Sequence, residues 1–291
     1  MRIFLAGATG VIGSRLLPLL LADGHDVTAL TRRTSDAEAL HSTGAEAAVA
    51  DVYDAGAIAR VVRNASPEVV MHQLTDLSGG SSEANAAMRK IGTANLANAA
   101  LSAGVRRMVA QSVAWAYQGG GEPADELTPL DLTAGPPRST TVRGVATLEE
   151  TAGELPEWVA LRYGVLYGPG TWYAPGALMA QKALAGELVA DGDISSFVHV
   201  NDAVEAAVAA LEWPSGAVNI CDDEPAAGHE WVPAFCAAVG APQPEHAGGA
   251  GRHDWARGAT NRHARKDLGW TPRHPSWRDG LGRPAEFGRL I

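Results

Sequence analysis

Residues 2–6 (RIFLA) and the run from Gly7 to Gly13 behind them (GATGVIG) decide the fold. Four apolar residues after Arg2 are too few for a helix and read as a strand buried on both faces. Gly7, Gly10 and Gly13 fit G-x-x-G-x-x-G directly behind that strand, and residues 14–23 read as a helix with Gly24 as its C-cap. In such a strand-turn-helix each glycine has its own task. The first permits the tight turn, the second lets backbone approach a pyrophosphate, and the third lets helix and strand pack closely. The helix N-terminus adds free N–H groups and a partial positive charge for phosphates. A purely structural glycine turn is the alternative, and the strand before and helix after argue against it.

Outward from this loop, residues 26–30 (DVTAL), 45–50 (AEAAVA), 68–74 (EVVMHQL), 107–112 (RMVAQS) and 158–163 (WVALRY) read as strands. Helical patterns at 55–64 and 86–103 separate some of them. Strands alternating with helices of this length imply βαβ crossovers: an α/β fold of Rossmann type, with a doubly wound parallel sheet. Past Gly164 the rhythm changes. Gly168-Pro169-Gly170 and Pro175-Gly176 break it, and shorter elements succeed them: a helix at 177–186, a strand at 196–201, a helix at 202–211 and a strand at 218–221. Residues 248–251 read as a flexible link before a Trp- and Arg-rich tail. The expected division is a dinucleotide-binding domain of residues 1–163 and 195–221, with a smaller C-terminal substrate lobe of 164–194 and 222–291.

Composition bounds the function. The chain has 291 residues, 23 basic against 33 acidic, for a formal charge of −10. That balance argues against a nucleic-acid partner. Residues 252–291 are locally basic, with nine Arg/Lys against four Asp/Glu, but carry no polybasic run, so they read as a solvated face. The N-terminal apolar stretch is interrupted by glycines, Ser14 and Arg15, unlike a signal peptide, and no apolar run reaches the length of a membrane span. Cys221 and Cys236 give no disulfide framework. The expectation is a cytoplasmic protein with a small-molecule substrate, no nucleic acid and no membrane; a homodimer is compatible with it. Nine histidines show no HxxxH or HExxH and the two cysteines stand fifteen apart, so no metal is expected.

The end of the second strand speaks to the cofactor. An NAD binder usually keeps an acid there for the ribose hydroxyls. Here Thr31 holds the place, with Arg32 and Arg33 directly behind it. Two guanidiniums beside the ribose suit a 2′-phosphate, so NADP(H) is expected ahead of NAD(H). A solvated basic turn is the alternative. Asp51 and Val52 come after the third strand, placed to touch the adenine, although Asp51 could simply cap the next turn. The full set expected to contact the cofactor is Gly7, Thr9, Gly10, Val11, Ile12, Gly13, Arg32, Arg33, Asp51, Val52, Gln73, Leu74, Thr75, Gln111, Tyr163 and Val165.

These residues, with GTANL at 92–96, LRYGVLYGPG at 161–170, SFVHVNDA at 196–203, VNICDDEP at 218–225 and LGWTPRHPSWRDGL at 268–281, resemble the extended short-chain dehydrogenase/reductases, the NAD-dependent epimerase/dehydratase family. The resemblance runs over nearly the whole chain. It implies hydride chemistry assisted by a Ser/Thr, a Tyr and a Lys, the last two as YxxxK in the helix before the sixth strand. Counted back from Glu149, the tyrosine position falls on Thr141 and the lysine on Val145, and neither can move a proton near neutral pH. The family's serine falls on Val113, with Ser112 one place earlier, and its usual asparagine falls on Arg89, with Asn85 near. The chain thus resembles an atypical subgroup that keeps the cofactor loop and lacks the usual catalytic set.

If chemistry survives, the C-terminal strand edges must supply it. Ser112 and Tyr117 are the leading candidates for a substitute proton donor, with Tyr163 behind them. Tyr167, Thr75 and Arg143 are further polar groups in range, each weighed against a packing role. His199 and the Asp222-Asp223-Glu224 run read as structural. Trp231, Trp255, Trp270 and Trp277 read as core of the smaller lobe, with one or two available to line a pocket. The expected function is an NADP(H)-dependent oxidoreductase or epimerase/dehydratase-like enzyme on a small organic substrate. A non-catalytic NADP(H)-binding redox sensor or regulatory protein is the alternative.

Overall fold

A computed structural model describes residues 1–76, 81–246 and 251–282, so part of the expected 248–251 link and the last residues of the tail lie outside the described residues. The chain forms two compact units. Met1–Ala116, Leu130–Arg162 and Val204–Val218 make the first; Tyr117–Pro129, Tyr163–Ala203 and the residues from Asn219 onward make the second.

The first unit begins with β1 (Arg2–Ala6), α1 (Gly13–Ala22), β2 (Asp26–Thr31), α2 (Thr34–Ser42), β3 (Glu46–Val49), α3 (Ala55–Ala65) and β4 (Val69–His72). It continues through α4 (Ser82–Ala87), a π-helical turn (Met88–Gly92), α5 (Thr93–Ser102), β5 (Arg107–Val113), α6 (Arg138–Ala152) and β6 (Glu157–Tyr163). Beyond it come β7 (Val165–Tyr167), α7 (Leu178–Leu184), β8 (Val189–Ala190), β9 (Ile194–Ser195), β10 (Phe197–His199), α8 (Val200–Ala209) and β11 (Gly216–Ile220). The remaining elements are β12 (Ala226–Ala227), α9 (Gly228–Ala238), β13 (Glu245–His246) and α10 (Arg262–Lys266).

Seven strands form one sheet in the order β11-β6-β5-β4-β1-β2-β3. Parallel pairing runs Leu5↔Ala29 and Leu5↔Met71 on either side of β1, and Val70↔Met108 between β4 and β5. The order reverses at β1, so β1 sits beside the switch point where open α/β sheets bind ligands. Phe4, Leu5 and Ala6 are wholly buried, as a strand covered on both faces requires. Phe4, Ala6, Val70, Met108 and Ala110 face one core cluster with Ile58 and Val62 of α3, Leu96 of α5 and Leu148 of α6.

Helices α2 and α9 escape the sequence reading. In α2 only Leu40 is buried, so the apolar period is missing. In α9, Pro233 interrupts an apolar pattern that otherwise reads as helix. The single helix expected over 86–103 is two helices joined by the π-helical turn. In the second unit β10 pairs with β7 and β12 with β9, in small two-stranded sheets. Tyr173, Phe197, Trp231 and Phe235 pack there ring against edge, with Trp277 beside Phe197, so Trp231 and Trp277 are core.

Candidate active site

The glycine loop fixes its own backbone. Gly7 sits at φ +96°, and a Cβ on it would lie 2.6 Å from the Gln73 carbonyl oxygen. A Cβ on Gly13 would lie 2.0 Å from the Gly7 carbonyl oxygen. Both positions therefore exclude a side chain, because backbone, not a movable side chain, occupies the space. The Gly10 N–H donates to the Gly7 carbonyl at 3.0 Å, closing the turn. Thr9, Gly10 and Val11 are exposed on it while Ile12 is buried. Among the described residues no side chain caps the α1 N-terminus, and no acid stands in its first turn. That end is open to an anion.

At the end of β2, Thr31 is buried and Arg32 and Arg33 are exposed. The two arginines differ. Arg33 Nε donates to Asp36 Oδ2 at 2.8 Å, and Thr31 Oγ1 donates to the same oxygen at 3.1 Å. The Arg33 hydrogen bond holds the Asp36 carboxyl below its ordinary pKa, with burial opposing. Asp36 escaped the sequence reading; its spacing of three from Arg33 at a helix start is the signal that pairs them. Asp51 Oδ1 accepts the Tyr53 N–H at 3.0 Å, so it caps its own turn and stays exposed. The Val52 side chain is buried, and its carbonyl accepts from Asn95 Nδ2 at 2.8 Å.

Beyond β4 the chain turns at Gln73, Leu74 and Thr75. Gln73 is buried, yet neither end of its side-chain amide has a hydrogen-bond partner among the described residues. Leu74 and Thr75 are half-buried. His72, wholly buried, takes the Leu74 N–H on Nδ1 at 3.3 Å, which leaves Nε2 to donate to Thr93 Oγ1 at 2.9 Å. Burial holds its pKa down to about 4, so the ring is neutral. Asn85 is also spent structurally, its carbonyl accepting the Asp76 N–H at 3.0 Å.

The edge formed by β5 and α6 is where the resemblance puts proton transfer. Ser112 is 1% exposed and donates its hydroxyl proton to Glu149 Oε1 at 2.6 Å. Arg162 grips the same carboxylate twice, Nε at 2.8 Å and Nη2 at 2.6 Å. This is a bidentate, charge-assisted pair within the sheet's edge. Val145 is wholly buried with Ala116 and Val142 in an apolar cluster, Thr141 is half-buried one turn earlier, and Gln111 is half-buried on β5. Arg89 is 6% exposed in the π-helical turn, and burial pushes its pKa down to about 10.

Tyr117, Tyr163 and Val165 belong to the second unit. Tyr117 is 1% exposed and donates its hydroxyl to Asn219 Oδ1 at 2.5 Å. Asn219 in turn donates to the Ala124 and Thr260 carbonyls, both at 3.2 Å. Tyr163 is buried; Val165 is half-buried and paired with Phe197. His199 stacks on His274 with ring centroids 3.7 Å apart, and His274 Nδ1 lies 3.1 Å from the buried Asp202 carboxylate. Burial, chiefly, raises the Asp222 carboxyl to about 8, and the Tyr167 hydroxyl is raised by the same cause. Among the described residues no group of three His, Cys, Asp or Glu could hold a metal, and no helix is long and apolar enough to cross a membrane.

The site is therefore a glycine loop open to phosphates at β1, two unlike arginines at β2, a buried amide with unused hydrogen-bonding capacity after β4, and an edge at β5–α6 whose polar groups are bound to one another. The chain is similar to known proteins along most of its length. Residues 3–221 match the NAD dependent epimerase/dehydratase family. The chain is 45% identical to the 3-diazoavenalumate denitrifying reductase of a Streptomyces species, over 97% of this chain and 100% of that one. It is 32% identical to a UDP-glucose 4-epimerase of Mycolicibacterium smegmatis, over 99% of each. The UDP-glucose 4-epimerase of Thermus thermophilus, solved with NAD, superposes with a TM-score of 0.76 at 26% identity, over 96% of each chain. Sheet order, glycine loop and these matches agree: the chain belongs to the NAD-dependent epimerase/dehydratase family, as an oxidoreductase of the extended short-chain dehydrogenase/reductase type.

Proposed function

We propose that this protein is an NADP(H)-dependent reductase that replaces the diazonium group of an aromatic substrate with hydrogen, releasing dinitrogen. The observation that carries the reading is the pair Thr141 and Val145 on α6. Val145 lies in an apolar cluster, and Thr141 has no usable acidity. Epimerisation of a sugar alcohol must take a proton from a hydroxyl and return it, so it needs the groups these residues replace. A diazonium arene needs none. The reduced nicotinamide, when bound, supplies a hydride. The arene carbon gains that hydrogen with its electron pair, the carbon–nitrogen pair departs with dinitrogen, and no proton appears on either side of the balance. The 45%-identical relative, whose name describes a denitrifying reduction of a diazo compound, supports this direction.

The chain's own residues then bind, orient and exclude water. Gly7, Gly10 and Gly13 with the open α1 terminus fit a pyrophosphate, since a Cβ at Gly7 or Gly13 would fill the cradle. Thr9, Val11 and Ile12 complete that turn. The Gln73 amide fits a ligand that brings both a donor and an acceptor, and Leu74, Thr75 and Gln111 flank the same sheet edge. Arg32 is the 2′-phosphate ligand, because Arg33 is held by Asp36; Asp51 and Val52 border the adenine. Tyr163, at the end of β6, and Val165, just past it, serve the nicotinamide. Ser112 and Tyr117 hold structure, their protons given to Glu149 and Asn219.

The test uses NADPH deuterated at the transferred position and an arene diazonium salt bearing a carboxylate. The expected result is one deuterium at the former diazo carbon and one dinitrogen per NADPH oxidised. The rate should be level between about pH 6 and 8, where a general acid would give a slope. Reduction of a ketone or interconversion of a UDP-sugar at a comparable rate, with no dinitrogen from the diazonium salt, would overturn the reading.

A further inference from the structure

Arg89 is a largely buried cation that no carboxylate pairs directly among the described residues. It is 6% exposed, and its guanidinium has neither a hydrogen bond nor an ion pair among them. The groups around it are already spent. The facing carboxylate, Glu149, is held at both oxygens by Arg162 and accepts the Ser112 hydroxyl. The other titratable neighbour, His72, is neutral and tied to Thr93. Two guanidiniums share one carboxylate, so Glu149 offsets the Arg89 charge only in part, without a hydrogen bond to it. Such a charge is costly to bury and is ordinarily paired.

The backbone is shaped around this side chain. Arg89 stands in the π-helical turn Met88–Gly92, and π-helical turns recur at functional sites. On the facing helix Gly144 leaves room. A Cβ there would come within 3.6 Å of Arg89 Cδ and 3.3 Å of Ala86 Cα. The side chain thus lies against α6 at Gly144, the residue before Val145, where the resemblance implies the family's lysine. A cation is present at this edge, but it comes from a different helix and has no tyrosine to serve. The phosphates of a dinucleotide have their own partners in the glycine loop and Arg32, at the β1–β2 end of the sheet.

We propose that Arg89 is the substrate's carboxylate receptor, so that the enzyme selects acidic aromatic substrates. The proposal adds a substrate class to the reductase reading and rests on that reading for the dinucleotide site and for the diazo group. The test is equilibrium titration of the protein, saturated with NADP+, with cinnamate and with its neutral amide, for wild type, Arg89→Gln and Arg89→Lys. Wild type should prefer the acid roughly tenfold to hundredfold, as a charge-assisted hydrogen bond provides. Arg89→Gln should lose that preference and Arg89→Lys should keep part of it. In parallel, ligand-free Arg89→Met should melt at or above the wild-type temperature, since it removes an incompletely compensated buried charge. Equal wild-type affinity for acid and amide, a preference that survives in Arg89→Gln, or an Arg89→Met variant that melts well below wild type would each overturn the assignment. A preserved acid preference with no dinitrogen release from diazonium substrates would sink the diazo reading while leaving the carboxylate receptor standing.

Discussion

The β1–β2 end of the sheet and the β5–α6 edge lie in one compact unit and have opposite polar economies. At β1 and β2 the polar groups face outward: the α1 terminus is uncapped, Thr9 and Gly10 are exposed, and Arg32 is in solvent. At β5 and α6 the polar groups are turned on one another. Ser112, Glu149 and Arg162 form a closed set, and Val145 joins an apolar cluster. One region leaves its polar groups open, and the other ties them to one another or packs against apolar side chains. On the function proposed above, the difference teaches that binding a dinucleotide and moving a proton are separable in this fold. The first depends on backbone geometry near one strand, the second on a few side chains that can be replaced without disturbing the sheet.

The largest expected effect strikes the open end. In Gly13→Ala the new Cβ would lie 2.0 Å from the Gly7 carbonyl, and backbone on both sides must move. Overpacking of this kind costs about 3 kcal/mol or more. Dinucleotide affinity measured by calorimetry should fall by more than ~100-fold. Near-normal binding by this variant would mean that the loop is not the phosphate cradle.

His72 tests the strand between the two regions. Its folded pKa of about 4 lies below the ordinary 6.5, because burial disfavours the charged ring. The folded state binds fewer protons than the unfolded state between those values. Stability is therefore full above pH 6.5 and declines as pH falls toward 4, by about 3 kcal/mol in all. Denaturant titrations of wild type and His72→Gln across about pH 4–7 check this: the slope should flatten in the variant.

Arg32→Ala should reduce the preference for NADPH over NADH by roughly 10- to 150-fold, the value of one charge-assisted hydrogen bond of about 1.5–3 kcal/mol. Arg33→Ala should do less to that preference, because Asp36 holds the Arg33 side chain. A reversed ranking would show that the ion pair opens when cofactor binds.

The smallest catalytic effect is expected where hydroxyls are already bound, at Ser112 on the closed edge and at Tyr117 in the second unit. Ser112→Ala takes the donor from Glu149 and should cost about 1.5–3 kcal/mol in stability. Tyr117→Phe leaves the Asn219 carbonyl without that donor and should cost about 1–3 kcal/mol. Neither should slow turnover per folded molecule more than about threefold. A positioned general acid would contribute on the order of 10²–10⁴, so a loss of that size in either variant would restore proton transfer to that residue.

The sequence alone determined the β1–glycine loop–α1 unit, the parallel sheet and the family. These come from local facts: a short apolar run, glycines where no Cβ fits, and a helical period immediately after them. The missing tyrosine and lysine were also legible, as Thr141 and Val145. Only the tertiary structure decided what the remaining polar residues do. Ser112 and Glu149 are 37 positions apart, and Tyr117 and Asn219 are 102 apart, so a hydroxyl that reads as a proton donor is found donating to a remote acceptor. The same holds for Arg89, whose meaning comes from Arg162 having already taken Glu149. A side chain's chemistry depends on the partners and the burial that folding gives it, and those are set by contacts between distant segments rather than by local pattern.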